Sequence, residues 1–117
     1  MLLDNERGCH YKRFSACPTN QLLQTLGQKW APAILHHLAD GRWRYGDLRR
    51  AIPSATQKMM TQTLRQLERK GLIAHHLSGS KPPLVSEYEL SPAGKSLAPI
   101  LREMTEWADA HFEANDG

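Results

Sequence analysis

Long apolar runs are missing from this 117-residue chain. No stretch approaches the ~18 consecutive apolar residues of a membrane-spanning helix. Residues 1–13 lack the basic, apolar and small-residue succession of a secretory signal, so a cytoplasmic protein without membrane contact is expected. Cysteine is scarce: Cys9 and Cys17 are too few for a disulfide framework and too close together for a zinc ribbon. Repeats and low-complexity segments are absent. So are the constellations of an enzyme: there is no Gly-rich phosphate loop, no nucleophile with a matched base and no carboxylate pair in a plausible cleft. Neither catalysis nor a cofactor is therefore expected. Six histidines include the neighbours His36-His37 and His75-His76. Adjacent histidines point in different directions and rarely share one ion. No metal is expected.

What remains is an ordinary folding chain. Apolar residues make up 40% and charged residues 23%, which supports one domain with one core. Charge is unevenly placed. Residues 42–70 hold eight basic side chains (Arg42, Arg44, Arg49, Arg50, Lys58, Arg65, Arg69, Lys70) against Asp47 and Glu68, a local balance of +6. The whole chain carries +3, so the remainder is net negative. Positive charge gathered on two short helices and a turn is how a helix-turn-helix meets a phosphate backbone.

The pattern along the chain predicts mainly α structure with a small β-hairpin. Residues 1–16 read as an N-terminal arm and 17–114 as the domain. Pro18 opens a first helix bearing Leu22, Leu23 and Leu26, stopped by Gly27. A second, from about Lys29 to Ala39, presents Trp30, Ile34, Leu35 and Leu38, and Asp40-Gly41 ends it. A third, Tyr45 to Ile52, turns Leu48 and Ile52 inward. After Pro53-Ser54-Ala55, Thr56 is the expected N-cap of a fourth helix of about fifteen residues, closed by Gly71. Its apolar stripe is Met60, Leu64 and Leu67, with Met59 alongside. Leu72 to Leu77 and Val85 to Leu90 read as a two-stranded wing around Ser78-Gly79-Ser80-Lys81-Pro82-Pro83. Ser91-Pro92 opens a long last helix, whose apolar residues exceed what one small core needs. The surplus predicts a partner surface built from Leu97, Ile100, Leu101, Met104, Trp107 and Phe112.

This order of elements is that of a winged helix-turn-helix with five or six helices. The chain resembles the HxlR-type family of transcriptional regulators, relatives of the MarR-type regulators. The likeness rests on Cys17-Pro18, Gly27-Gln28-Lys29-Trp30, Ile34-Leu35, Asp40-Gly41, the run Arg44 to Arg50, and Ile52-Pro53. It continues through Lys58, Thr61-Gln62, Leu64, Leu67-Glu68, Gly71-Leu72, Pro82-Pro83, Glu87-Tyr88, Leu90, Gly94 and Trp107. Each motif is weak alone; order and spacing together are specific over residues 17–112. Two departures lie in the hairpin. Ser78-Gly79 replaces the usual aromatic-proline pair, and one extra residue separates Pro83 from Glu87. His75 stands where a permanently charged residue is common, which makes wing affinity pH-dependent.

The resemblance implies a homodimeric regulator binding double-stranded DNA at a pseudo-palindromic operator, with the first and last helices forming the dimer. Repression is the commoner mode in the group. Thr56, Gln57, Lys58, Thr61, Gln62 and Arg65 are the expected groove contacts, with Lys58 and Arg65 the strongest. Arg44, Arg49 and Lys81 are expected on phosphate. The acidic C-terminal third belongs away from DNA. Trp30 and Trp107 fit core or dimer contacts, and Trp43 a shield for the turn. Cys17 at a helix N-terminus favours thiolate, and several family members sense electrophiles or oxidants through such a cysteine. Cys9 is the candidate resolving partner, within one chain or across the dimer. A small-molecule or oxidant effector fits that reading. The alternative is a winged-helix module that binds protein and has abandoned DNA, which would dilute the basic residues of the recognition face.

Overall fold

A computed structural model describes residues 17–112. The expected arm over residues 1–16, with Cys9 in it, lies outside that range, as do residues 113–114. The described elements run α1 (Pro18–Leu26), α2 (Ala31–Leu38), β1 (Trp43–Arg44), α3 (Tyr45–Ala51), α4 (Gln57–Arg69), β2 (Ile73–Ser78), β3 (Val85–Leu90) and α5 (Pro92–His111). No helix among the described residues is long and apolar enough to cross a membrane.

Local chemistry sets most boundaries. Pro18, Pro32 and Pro92 each lie in the first turn of their helix, where the missing N–H costs no intrahelical bond. α2 begins two residues later than the apolar pattern suggests, because Trp30 serves as its N-cap. α4 has 13 residues rather than about fifteen: Lys70 is its C-cap, and Gly71 follows at φ +78°. That left-handed conformation is the one glycine adopts without steric cost.

The sheet differs from the expected two-stranded wing. It has three strands in the order β1-β3-β2, all antiparallel. Trp43 faces Tyr88 and Arg44 faces Glu87, so the tiny β1 strand docks the start of α3 onto the wing. A two-residue strand has no period to read, so only its partner reveals it.

The core is a single cluster of Ile34, Leu35 and Leu38 from α2, Leu48 from α3, Met60, Leu64 and Leu67 from α4, and Ile73, Leu90 and Leu97 beyond. Fully burying side chains of this size contributes roughly 1.5–3 kcal/mol each. Leu97 thus belongs to the core of its own chain, at 8% exposure. Gly94 admits the close approach of α5 to the strand start: a Cβ there would lie 2.1 Å from the Leu72 carbonyl oxygen.

Candidate nucleic-acid interface

The site grows from one amphipathic helix. Thr56 is extended (φ −75°, ψ 163°), and its hydroxyl accepts a hydrogen bond from the Met59 backbone N–H at 3.1 Å. That bond satisfies one of the free donors of the first turn and fixes where α4 begins. Met60, Thr63, Leu64 and Leu67 then fall on the buried face at three- and four-residue steps. Thr63 was not part of the expected stripe, but its position three residues after Met60 puts it there. Gln57, Lys58, Gln62, Arg65 and Arg69 are exposed on the other side. Thr61 is half-buried at the border, its Oγ1 3.5 Å from the Tyr45 hydroxyl. Tyr45 therefore ties α3 to α4, a role its place in the sequence does not announce.

The expected phosphate contacts are less uniform. Lys81 is exposed at the wing tip, beside the cis Pro82-Pro83 bond. Arg49 is half-buried, and its Nε is enclosed without a hydrogen-bond partner. Arg50 pairs with Asp47 one turn earlier on α3. Arg44, expected on phosphate, is exposed and has an acidic neighbour. Its Nε lies 3.7 Å from Glu87 Oε2, while Arg42 Nε lies 3.4 Å from Glu87 Oε1.

In the wing, His75 has partners on the neighbouring strand. Its ring stacks on Tyr88 at 4.3 Å, nearly parallel, and its Nε2 lies 2.7 Å from Ser86 Oγ. This histidine is turned toward the tyrosine of the next strand. Burial pushes the Tyr88 phenol above its ordinary value of 10.0. On the opposite face of the sheet, His76 Nε2 lies 2.7 Å from Glu89 Oε2. That hydrogen bond holds the Glu89 carboxyl below its ordinary 4.5.

Away from α4, the last helix exposes Ile100, Met104, Trp107 and Phe112 at 44–64%. Trp107 stacks on His111 at 4.2 Å and meets Phe112 edge-on. Leu101 and Met104 continue into a mostly apolar groove of about 530 Å³, whose other wall includes Leu23 and Leu26 of α1 and Leu35 of α2. Trp30 is half-buried against the core, and Trp43 packs on it from β1, 5.2 Å from the His37 ring. Cys17 is the N-cap of α1, fully buried and disulfide-bonded. Among the described residues no group of three His, Cys, Asp or Glu side chains could hold a metal ion.

Residues 25–116 match the model of the HxlR-like helix-turn-helix family. The chain is 37% identical to the HTH-type transcriptional regulator YdeP of Bacillus subtilis (strain 168), over 88% of its own length and 80% of the relative's. It is 45% identical to YtcD of the same organism, over 77% of this chain and 71% of that one. Among solved structures, the regulator ytcD superposes with a TM-score of 0.74 at 40% identity, covering 80% of this chain and 95% of that one. The oxidised form of the redox regulator HypR superposes at 0.73 and 35% identity, over 84% of this chain and all of the other. These relatives are transcriptional regulators by name, not enzymes. With a family match over most of its length, a winged helix-turn-helix fold and a basic α4 face, the chain belongs to the HxlR-like helix-turn-helix family of transcriptional regulators.

Proposed function

We propose that this protein is a dimeric, sequence-specific DNA-binding repressor whose α4 helix enters the major groove. The observation that carries the reading is the two-sidedness of α4. Met60, Leu64 and Leu67 are spent on the core, while Gln57, Lys58, Gln62 and Arg65 stand exposed, with Glu68 the only acid on the helix. Amides and guanidinium groups of this length suit the donor and acceptor edges of bases in the major groove. Thr56 and Thr61 flank that set, and Arg49 and Lys81 supply charge to the phosphates on either side. A winged-helix module that had abandoned DNA would be expected to dilute the basic residues of this face.

The exposed apolar row of α5, together with the groove it shares with α1, is the surface on which a second copy would pack. Two-fold pairing there sets two α4 helices about 34–36 Å apart, one helical turn of DNA, and makes the operator pseudo-palindromic. Cys17, disulfide-bonded and buried at the head of α1, supports a redox input to DNA binding.

Selecting bound duplexes from a random pool, with and without an oxidant, identifies the operator and any redox response. On the selected site, Arg65→Ala should lose about 1–3 kcal/mol of discrimination and affect random DNA far less. Equal losses on both would reduce Arg65 to a phosphate contact. Identical binding by oxidised wild type, reduced wild type and Cys17→Ser would remove the redox input.

A further inference from the structure

We propose that Glu87 limits the affinity of this protein for DNA by withholding Arg42 and Arg44 from the phosphate backbone. The inference rests on the DNA-binding reading above and goes beyond it by assigning an opposing charge to the basic half of the molecule.

Residues 42–70 look like one continuous basic patch, yet the fold brings acid to its edge from another part of the chain. β1 pairs with β3 so that Arg44 stands opposite Glu87. The Glu87 carboxylate then serves two guanidinium groups, one on each oxygen: Arg42 at 3.4 Å and Arg44 at 3.7 Å. Arg42 also reaches Glu89 at 3.9 Å, and Glu89 is bonded to His76 on the far strand. Across this face the two arginines and two glutamates cancel when His76 is neutral. The outer face of the sheet is therefore an alternating ladder of charges and not a cationic surface.

The burial pattern gives the ladder its direction. The Glu87 side chain is 27% exposed, against 46% for Arg42 and 66% for Arg44. The acid is the least exposed of the three, and both arginines reach it. A phosphate approaching β1 competes with a carboxylate already in place, so neither arginine releases its full share of counterions from the duplex. Non-specific binding draws almost wholly on that release. Withheld charge lowers binding to random DNA most directly, because the base contacts of α4 do not depend on it. Glu87 is thus a positioning residue that sets affinity for the duplex through the two arginines.

The test is a salt titration of binding to a short random-sequence duplex. Glu87→Gln keeps the shape and removes the charge. Roughly three- to tenfold tighter binding is expected, with a slope of log affinity against log salt steeper by about 0.9 for each arginine released. Arg44→Ala, made in both backgrounds, should cost clearly more when position 87 is glutamine. Unchanged or weaker binding by Glu87→Gln, or an equal cost of Arg44→Ala in both backgrounds, would overturn the proposal. Arg44→Ala in the native background tests it without the glutamine variant. The salt slope should hold, and a fall of about 0.9 would show that Arg44 already neutralises a phosphate. Wild-type protein that binds no duplex at any salt overturns the DNA-binding reading itself. Steep wild-type salt dependence with an inert Glu87→Gln overturns this inference alone.

Discussion

Gly94→Ala sets two effects of opposite sign against each other. Gly94 lies in the first turn of α5, three residues after the Ser91 N-cap, whose hydroxyl accepts from the Gly94 N–H at 3.1 Å. Helix propensity alone favours alanine there by up to ~1 kcal/mol. The tertiary structure opposes it. The added Cβ would meet the Leu72 carbonyl oxygen at 2.1 Å, where an ordinary carbon–oxygen contact needs about 3.3 Å. The start of α5 and the lead into β2 must therefore part by about 1 Å. The obstructing group is backbone, so no rotamer change relieves it. The same carbonyl accepts from the Ser91 N–H at 3.0 Å, and parting the segments strains that bond, worth about 1 kcal/mol. Overpacking of this kind costs typically 1–3 kcal/mol. The net expectation is a destabilisation of about 2 kcal/mol, or a fall in Tm of roughly 10 °C. Urea denaturation at fixed protein concentration measures it, with an unchanged m-value showing that the unfolded state is not the cause. Stability equal to wild type, or raised as propensity alone would require, would refute the packing argument.

Three further outcomes follow from the same geometry. Thr56→Ala removes the hydroxyl that accepts from the Met59 N–H and should cost ~1 kcal/mol of stability, while Thr56→Ser recovers most of it; equal loss in both variants would show the cap bond to be irrelevant. Met104→Asp, on the exposed row of α5, should leave thermal stability nearly unchanged at low concentration and shift sedimentation to the monomer mass; a persistent dimer would move the subunit contact elsewhere. Burial favours the neutral form of Tyr88, whose folded pKa lies above 10.0, so its contribution to stability is complete below pH 10 and is lost as pH rises through the folded value. Urea stability should therefore fall from pH 10 upward and fall less steeply in Tyr88→Phe; matching slopes would assign the alkaline loss to other groups.

Much of the helix-turn-helix was legible because its signals are local. Thr56 at the head of a periodic stripe, Pro18 and Pro92 in first turns, and Gly71 behind α4 act within a few residues of themselves. The exposed face of α4 followed directly, since fixing Met60, Leu64 and Leu67 inward leaves Lys58, Gln62 and Arg65 outward. The exposed apolar row of α5 was legible for a related reason: α5 has more apolar residues than its own chain covers, although Leu97 proved to be core.

The sequence by itself determined which segments are helices, which face of α4 is apolar and where positive charge concentrates, because these depend on propensity and on spacing within one element. Only the tertiary structure decided what that charge is worth. Arg44 and Glu87 are 43 positions apart, and the short strand that aligns them has no pattern of its own. Long-range pairing likewise turned His75 onto Tyr88 and joined His76 to Glu89, since the register of a hairpin is set by both of its strands. A side chain's charge is written in its residue type, but whether it reaches solvent, a phosphate or a carboxylate depends on which distant strand lies beside it.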